Sequence, residues 1–519
     1  MFYRRILPVA SVAVIAGGIF SLNFPGSGSH YKGARLSDHG LKNYTFVDSR
    51  KFELINACVL TRHGARTPNY YIDSKYEMPD WTSGLGYVNL LPDLCYSTDV
   101  KELPGKLLID EESIQEEYIQ HNKGKCNYGQ LTLIGQEQSI HFGKELRRIY
   151  MMGNKLINEE FNENEILSRS TKFPRTFYTL KGILSGLYGV DTFDLCHRPI
   201  IYTMPIAMDT FYPNPSACSV VGEFTVSGSK ENSNDSEIMK MKCILKRLLG
   251  VQNLRFANPN NNKVKSEKPK KCSKNKEKNK EISTQLIEKQ KEESTDDNDV
   301  TVYAIRDDLY SRQVHNYEVP SAFTSMFSEI NRLSSQEILY EYLGGSTEWE
   351  ERISLIVSPT INFIKDNMKK VADESLKSLN NKSCIPDMKS AISKKKGTMK
   401  MQLLSCHDTT LIPLLVCMRI YDGQWPVFMS NLIIELYKEK ESNKLFTRVL
   451  YQGKVQKLNL HEETCGVTNE YEKQGLLPYD DFIQFLNKYS IPDDHYGNSC
   501  DKAMRLFKSG KPVSKDQYI

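Results

Sequence analysis

Residues 51–62 of the 519-residue chain read KFELINACVLTR, which alternates imperfectly between polar and apolar side chains and then turns apolar. Such a run predicts a β-strand that is buried on both faces. The motif RHGARTP closes it and sets Arg62, His63 and Arg66 at its carboxyl end. Because a strand of this kind needs a sheet covered by helices, it points to an α/β fold.

A second stretch repeats this pattern about 340 residues later. Met399–Ser405 is predicted to form a strand, and His407 and Asp408 follow at its end. A helix capped by Asp408 or Thr409 is predicted to continue to about Tyr421 and to stop before a glycine. Since open α/β sheets place ligands beyond the carboxyl ends of their strands, both motifs are expected to meet in one crevice.

The order of predicted elements fixes the expected fold class. It is an α/β fold with a central mixed, mostly parallel sheet flanked by helices and an inserted, mainly helical cap domain. We expect a helix over 131–150, a strand and helix over 165–189, and a strand pair over 428–458. Helical spacing is expected over 321–379, with breaks at Gly344, Gly345 and Pro359.

The domain organisation follows from length and composition. A chain of 519 residues implies about two domains, or one large domain with an insertion. Residues 258–299 lack aromatic side chains and are dominated by Lys, Glu and Asn, which predicts a disordered insertion, with a polybasic membrane- or nucleic-acid-binding tract as the alternative. We divide the rest into a targeting or anchor segment (1–36), the first part of the α/β domain with the start of the cap (37–257), the helical cap (300–395) and the last part of the α/β domain (396–519).

The amino terminus carries a targeting signal. Two arginines precede about 19 uncharged, mostly apolar residues, which is close to the length that spans a bilayer. A cleaved signal peptide, an uncleaved membrane anchor and a mitochondrial presequence all fit. Asn43, Asn234 and Asn381 lie in glycosylation sequons, which are common by chance. The net charge of +4 gives no support to nucleic-acid binding.

The twelve cysteines do not form a metal motif, because no CxxC pair is present. An even number permits disulfides without assigning them. Cys465 and Cys500 bracket the carboxyl-terminal region, and we expect a bridge between them.

The first motif predicts an anion site. Clustered cations are stable when an anion lies among them, and guanidinium groups match the oxygens of phosphate. Arg62 and Arg66 would bind phosphate, and His63 between them would direct a neutral ring nitrogen at phosphorus. A surface ion-pair network is the alternative for so short a motif.

The stretch SRSTKFPRT offers a further cation. Arg169 lies at a predicted strand end and is the third candidate phosphate ligand, with a salt bridge that holds the loop as the alternative. Arg175 is expected to be structural, because it falls within the helix that follows.

The second motif supplies an acid. Cleavage of a phosphate ester must protonate the leaving oxygen, and Asp408 is the candidate acid. His407 would donate to a phosphate oxygen. Helix capping is the alternative role of Asp408. A metal site at His63, His407 and Asp408 is disfavoured, because the arginines would repel the cation.

Together, RHGARTP and HDTT resemble the signature motifs of the histidine acid phosphatase family, and GQLTLIGQEQ and YPNPSAC are similar to its intermediate blocks. The resemblance covers about residues 52–500. It implies that His63 takes the phosphoryl group and that Asp408 protonates the leaving alcohol. It also implies that Arg62, Arg66, Arg169 and His407 bind phosphate, and that no metal or other cofactor is needed.

The substrate is inferred from finer similarity. HDTTLIPLLVCMRIYDGQWPVF and DDLYSRQVHN are most similar to the lysophosphatidic acid phosphatases of this family, which implies lysophosphatidic acid as substrate and a mitochondrial location. The secretory pathway is the alternative location. Residues 69–96, rich in Tyr and apolar side chains, either wall an acyl-chain channel or pack as an ordinary loop. A sugar- or inositol-phosphate phosphatase and a non-catalytic, membrane-associated phospholipid-binding protein are the alternative functions.

Overall fold

The structure is a computed structural model, and it describes residues 40–70, 76, 79, 81, 99–102, 108–109, 128–189, 199–250, 301–344, 349–380, 399–458 and 470–519. The targeting segment, the predicted insertion at 258–299 and almost all of the predicted acyl-chain wall lie outside these residues.

The described strands form one sheet in the order β10-β8-β7-β1-β6-β4-β5-β2-β3, with β9 beside β8. Strands β1, β6, β4, β5 and β2 run parallel, and the strands beyond β1 and β2 run antiparallel to their neighbours. The predicted mixed sheet with a parallel centre is confirmed. The strands are β1 (Phe52–Arg62), β2 (Asp99–Glu102), β3 (Leu108–Ile109), β4 (Ile166–Ser170), β5 (Ile200–Thr203), β6 (Met401–Cys406), β7 (Asn431–Glu439), β8 (Leu445–Tyr451), β9 (Lys454–Val455) and β10 (Leu477–Pro478).

Helices cover both faces of the sheet, and those between β5 and β6 include the inserted cap. A π-helical turn, Arg147–Gly153, extends the helix Leu133–Leu146. The helices are α1 (Leu133–Leu146), α2 (Pro174–Tyr188), α3 (Val220–Asn234), α4 (Ser236–Leu249), α5 (Val302–Val314), α6 (Ser321–Thr324), α7 (Phe327–Leu343), α8 (Trp349–Asn380), α9 (Asp408–Cys417), α10 (Glu470–Lys473), α11 (Tyr479–Asn487), α12 (Asp493–Lys508) and α13 (Lys515–Tyr518).

Strand β1 joins two hydrophobic cores because successive side chains point to opposite faces of a sheet. Cys58 and Leu60 pack into the core that contains α8 and α9. Ala57 and Val59 pack into the core that contains α1 and α2. This double burial explains why residues 57–60 of β1 are apolar at every position.

Helices α1 and α2 approach each other backbone to backbone on one face of the sheet. A Cβ added to Gly186 would lie 2.0 Å from the carbonyl oxygen of Ile140, and one added to Gly143 would lie 2.1 Å from that of Ile183. Only glycine fits at these crossings. The tight contact fixes α2, whose first turn lies at the carboxyl edge of the sheet.

Two predicted helix boundaries were wrong. Pro359 does not break a helix, since α8 passes through it. The carbonyl of Leu355, which lacks the N–H donor that proline removes, accepts a hydrogen bond from the Tyr496 hydroxyl at 2.6 Å. Helix α9 stops at Cys417 rather than near Tyr421, and Arg419 just beyond it adopts a left-handed backbone with φ of 58°.

The predicted Cys465–Cys500 disulfide was also wrong. Cys500 on α12 is bonded to Cys218, which precedes α3, across 282 residues of sequence. The bridge ties the start of the cap to the carboxyl-terminal helices. Cys465 lies outside the described residues.

None of the helices in the described ranges combines the length and the apolar composition needed to cross a bilayer.

Candidate active site

The pairing of β1 with β6 brings the two motifs together. The strands run parallel with Arg62 opposite Cys406, so His63 and His407 leave the sheet side by side. The His63 amide donates to the Cys406 carbonyl at 3.0 Å, and the two imidazole rings lie edge to face with centroids 5.7 Å apart. Motifs that are distant in sequence thus share one crevice at the carboxyl edge, as predicted.

The tautomer of His63 follows from one hydrogen bond. Its Nδ1 lies 2.9 Å from the Gly64 carbonyl oxygen, which can only accept, so the proton is on Nδ1. Nε2 keeps its lone pair and has no hydrogen-bond partner among the residues that the structure describes. Helix α2 supports the loop that follows β1, because the Gly64 amide donates to Thr179 Oγ1 on α2 at 3.0 Å. His63 therefore presents an unprotonated ring nitrogen, which is the form that a nucleophile needs.

His63 is also kept neutral. Burial lowers its pKa well below the usual value, and the positive charges of Arg62, Arg175 and Arg66 lower it further. A neutral imidazole is the form that can attack phosphorus.

Arg62 is buried and held on three sides. Its Nη2 lies 2.7 Å from Asp408 Oδ2, its Nη1 donates to the Pro426 carbonyl at 2.6 Å, and its guanidinium lies 4.5 Å from the ring centroid of Phe428. Burial lowers the pKa of Arg62, and Asp408 opposes that shift. The cation is fixed in direction before any anion binds.

Asp408 is held as a carboxylate. Its Oδ2 accepts from the Trp425 indole N–H at 2.8 Å, and its Oδ1 accepts from the Thr409 amide at 2.8 Å. Burial alone would raise its pKa, but Arg62, Arg66 and the Trp425 hydrogen bond outweigh burial and lower it. The N-cap of α9 is His407, so the prediction that Asp408 or Thr409 caps this helix was wrong.

Arg66 is clamped by the cap domain. Its Nη1 and Nη2 donate to Asp307 on α5 at 3.1 and 2.8 Å, a bidentate pair. Asp307 also accepts from the Asn69 amide at 2.8 Å. The cap thereby orients one of the predicted phosphate ligands, a role for Asp307 that sequence reasoning missed.

His407 is fixed by a threonine. Its Nε2 lies 2.9 Å from Thr171 Oγ1, while Nδ1 has no hydrogen-bond partner in the described chain. If Thr171 donates to Nε2, Nδ1 carries the proton and can donate to a phosphate oxygen. Burial is the main cause of the lowered pKa of His407, and Arg175 lowers it further.

The contacts of Arg169 differ from those that the sequence predicted. Its guanidinium is ion-paired with Asp209 at 3.2 Å and lies 3.3 Å from the ring centroid of Phe211. Burial lowers its pKa to about 10. Arg169 therefore matches the alternative interpretation, a salt bridge that holds the loop.

Arg175 acts on both histidines of the motifs, although the sequence pointed to Arg169 instead. Arg175 lies in the first turn of α2, and its guanidinium is 4.7 Å from the Phe173 ring centroid. The rings of Phe173 and His407 in turn have their centroids 5.1 Å apart. Its charge lowers the pKa of both His63 and His407. The prediction that Arg175 is only structural therefore disagrees with its position. The available signal was the short strand-to-helix turn, which brings the first turn of α2 back over the sheet edge.

The chain belongs to the histidine phosphatase superfamily (branch 2), whose sequence profile matches residues 53–452. It is a phosphomonoester hydrolase of the acid phosphatase kind.

Two individual relatives agree with this class, and one solved structure has a similar fold. Lysophosphatidic acid phosphatase type 6 of Mus musculus is 24% identical over 465 residues, which cover 90% of this chain and 92% of the relative. Lysosomal acid phosphatase of Xenopus laevis is 26% identical over 332 residues, which cover 62% of this chain and 61% of the relative. A multiple inositol polyphosphate phosphatase structure from Bifidobacterium longum covers 88% of this chain and 97% of its own, with 12% identity and a TM-score of 0.48.

Proposed function

We propose that the enzyme hydrolyses lysophosphatidic acid to monoacylglycerol and phosphate through a phosphohistidine at His63. The observation that carries the mechanism is the His63 tautomer, which leaves Nε2 as an unprotonated nitrogen among buried arginines. The substrate rests on the relatives named lysophosphatidic acid phosphatase, which match along almost the whole chain.

In the first step Nε2 of His63 attacks phosphorus and the bond to the leaving oxygen breaks. Arg62, Arg66 and His407 would hold the phosphoryl oxygens, with Arg175 in the role first given to Arg169. The leaving oxygen takes a proton from Asp408, so that it departs as an alcohol.

Asp408 must gain this proton before it can give it. In the structure it is paired with Arg62 at 2.7 Å, which favours the charged form. A phosphate ester monoanion that binds Arg62 competes for this guanidinium and brings its own proton, which can pass to Asp408. In the second step the Asp408 carboxylate takes a proton from water, the water oxygen bonds to phosphorus, and the P–N bond breaks to restore neutral His63.

The test is capture of the intermediate. Rapid denaturation in alkali during turnover of ³²P-labelled substrate should leave an acid-labile label on His63, and His63→Ala should carry none. Continued hydrolysis by His63→Ala without any captured adduct contradicts the mechanism. A panel of lysophosphatidic acid, sugar phosphates and inositol phosphates separates the substrate assignment from its alternatives, since the highest kcat/KM identifies the preferred class.

Location is part of the proposal. The Cys218–Cys500 disulfide supports an oxidising compartment, which favours the secretory pathway over a mitochondrial location. Asn43 and Asn234 in their sequons are both exposed, as glycosylation requires. Glycosidase treatment of the natively expressed chain should then increase its gel mobility, and an unchanged mobility favours the mitochondrial location. Attachment to a membrane through residues 1–36 stays a prediction.

A further inference from the structure

Arg306 is a buried cation that the proposed mechanism does not use. It lies on α5, one residue before the Asp307 that clamps Arg66, and is only 2% exposed. Its Nε donates to Asn331 Oδ1 at 3.0 Å, and the Asn331 amide in turn donates to Gln424 at 2.8 Å. The hydrogen bond of Nε to Asn331 thus fixes the orientation of the guanidinium plane.

The outer part of this guanidinium packs against aromatic rings and has no ion-pair partner among the described residues. Its Cζ lies 4.5 Å from the ring centroid of Tyr310 and 5.2 Å from that of Trp425. Within the described ranges, neither Nη group forms a hydrogen bond or an ion pair. Burial and nearby Arg62 lower its pKa to about 10, so it stays charged at neutral pH. Asp307 and Asp408 lie near enough to oppose this shift, but neither pairs with the guanidinium directly. Burying a cation without a direct ion pair is costly, unless a ligand completes its hydrogen bonds.

Two aromatic contacts place Arg306 beside the reacting groups. Trp425 under its guanidinium donates to Asp408 at 2.8 Å. Tyr310, the other ring, packs on Phe428 at 5.0 Å, and Phe428 packs on Arg62. Because Asp408 protonates the leaving oxygen, Arg306 lies on the side from which the alcohol departs.

We propose that Arg306 is a specificity-determining residue that donates hydrogen bonds to an oxygen on the leaving alcohol, and so selects phosphates of polyols such as glycerol over those of plain alkyl alcohols. The inference rests on the proposed function, since it takes Asp408 as the group that marks the leaving side. The Nη groups supply two donors for a hydroxyl or ester oxygen near the scissile bond. A site that donates to such an oxygen discriminates against a substrate that lacks it.

The test compares glycerol 3-phosphate with n-propyl phosphate, which has the same three-carbon chain without the hydroxyls. Replacing Arg306 by Met keeps an apolar stem over the rings and removes the donors. We expect kcat/KM of Arg306→Met to fall about 10- to 100-fold for glycerol 3-phosphate and less than about 3-fold for n-propyl phosphate. Arg306→Lys, which keeps the charge with fewer directed donors, should lie between the two.

The matched control is Arg419→Met, which removes an exposed arginine paired with Glu350 and should leave both substrates unchanged. Equal losses on both substrates in Arg306→Met overturn the proposal, because they indicate that Arg306 only orders Trp425 and Tyr310. An unchanged substrate ratio overturns it too. Should Arg306→Met fail to fold, the ratio for Arg306→Lys decides.

Phosphohistidine capture separates this proposal from the mechanism beneath it. With n-propyl phosphate, Arg306→Met should still label His63 as the unsubstituted enzyme does. Loss of labelling in both proteins contradicts the mechanism, whereas normal labelling with an unchanged substrate ratio contradicts only the role of Arg306.

Discussion

His63 is held in its neutral form by its surroundings, and this sets the acidic side of the pH profile. Burial, Arg62, Arg175 and Arg66 all lower its pKa, so the imidazole stays unprotonated as the pH falls through 6.5. An ordinary histidine would be about 1% neutral at pH 4.5 and would lose about 100-fold in rate. We expect kcat/KM for p-nitrophenyl phosphate, corrected for substrate ionisation, to fall less than about 3-fold between pH 7 and 4.5. A fall with a midpoint near 6.5 would contradict a depressed pKa.

Asp408 offers a second test at this scale. Asp408→Asn removes the proton donor but keeps a side chain of the same size beside Trp425. Hydrolysis of an alkyl phosphate should slow about 100- to 10,000-fold, because an alkoxide leaves poorly. Hydrolysis of p-nitrophenyl phosphate should slow about 10-fold or less, because its phenolate leaves without help. Equal losses in kcat on the two substrates would remove Asp408 from the acid role.

Arg175 and Arg169 form a matched pair of variants, because both arginines lie near the site, six positions apart in sequence, and each is changed to Met. Arg175→Met should weaken inhibition by inorganic phosphate about 10- to 100-fold. Arg169→Met leaves the buried Asp209 carboxylate without its partner, which should reduce the free energy of unfolding by about 3 kcal/mol or more. Inhibition constants and thermal melts of both variants measure this contrast, and the reverse pattern would return Arg169 to the phosphate site.

At the scale of elements, the crossing of α1 and α2 positions the first turn that carries Arg175. In Gly186→Ala the new methyl would lie 2.0 Å from the Ile140 carbonyl oxygen, so the two helices must separate. We expect a loss of about 1–3 kcal/mol in the free energy of unfolding. The control is Gly497→Ala in α12, where the added methyl meets nothing within 4 Å, and this change should be neutral or stabilising. Urea unfolding of both variants measures the difference in free energy of unfolding. Equal values for the two variants would show that α1 and α2 do not pack tightly at this crossing.

The elements also show what the sequence could and could not predict. Strands β1 and β6 and their motifs were predictable, because a mostly apolar run that ends in histidine and charged side chains is a local pattern. The choice between Arg169 and Arg175 was not local, since it depended on Asp209, which a distant loop supplies. Pro359 likewise was predicted to end a helix, because the Tyr496 hydroxyl that satisfies the exposed Leu355 carbonyl lies more than a hundred residues away in sequence.

At the scale of the whole molecule, the Cys218–Cys500 bridge joins the cap to the carboxyl-terminal helices. Cys500→Ser should reduce the free energy of unfolding by about 2–5 kcal/mol. The control is Cys243→Ser, since Cys243 is exposed and not disulfide-bonded. Denaturant midpoints with and without reductant measure the effect. If reductant lowers the denaturant midpoint of Cys500→Ser as much as that of the unsubstituted protein, the stabilisation comes from another disulfide bond.

The same bridge closes a loop of the chain that contains His407 and Asp408 but not His63, from a residue before α3 to one near the end of the chain. A single proteolytic cut anywhere between residues 218 and 500 would therefore yield two polypeptides that remain one covalent particle. His63 would travel with the amino-terminal piece and Asp408, for any cut before residue 408, with the carboxyl-terminal piece. Such a nicked enzyme migrates as one band without reductant and as two bands with it, and maturation by internal cleavage could occur without loss of either half.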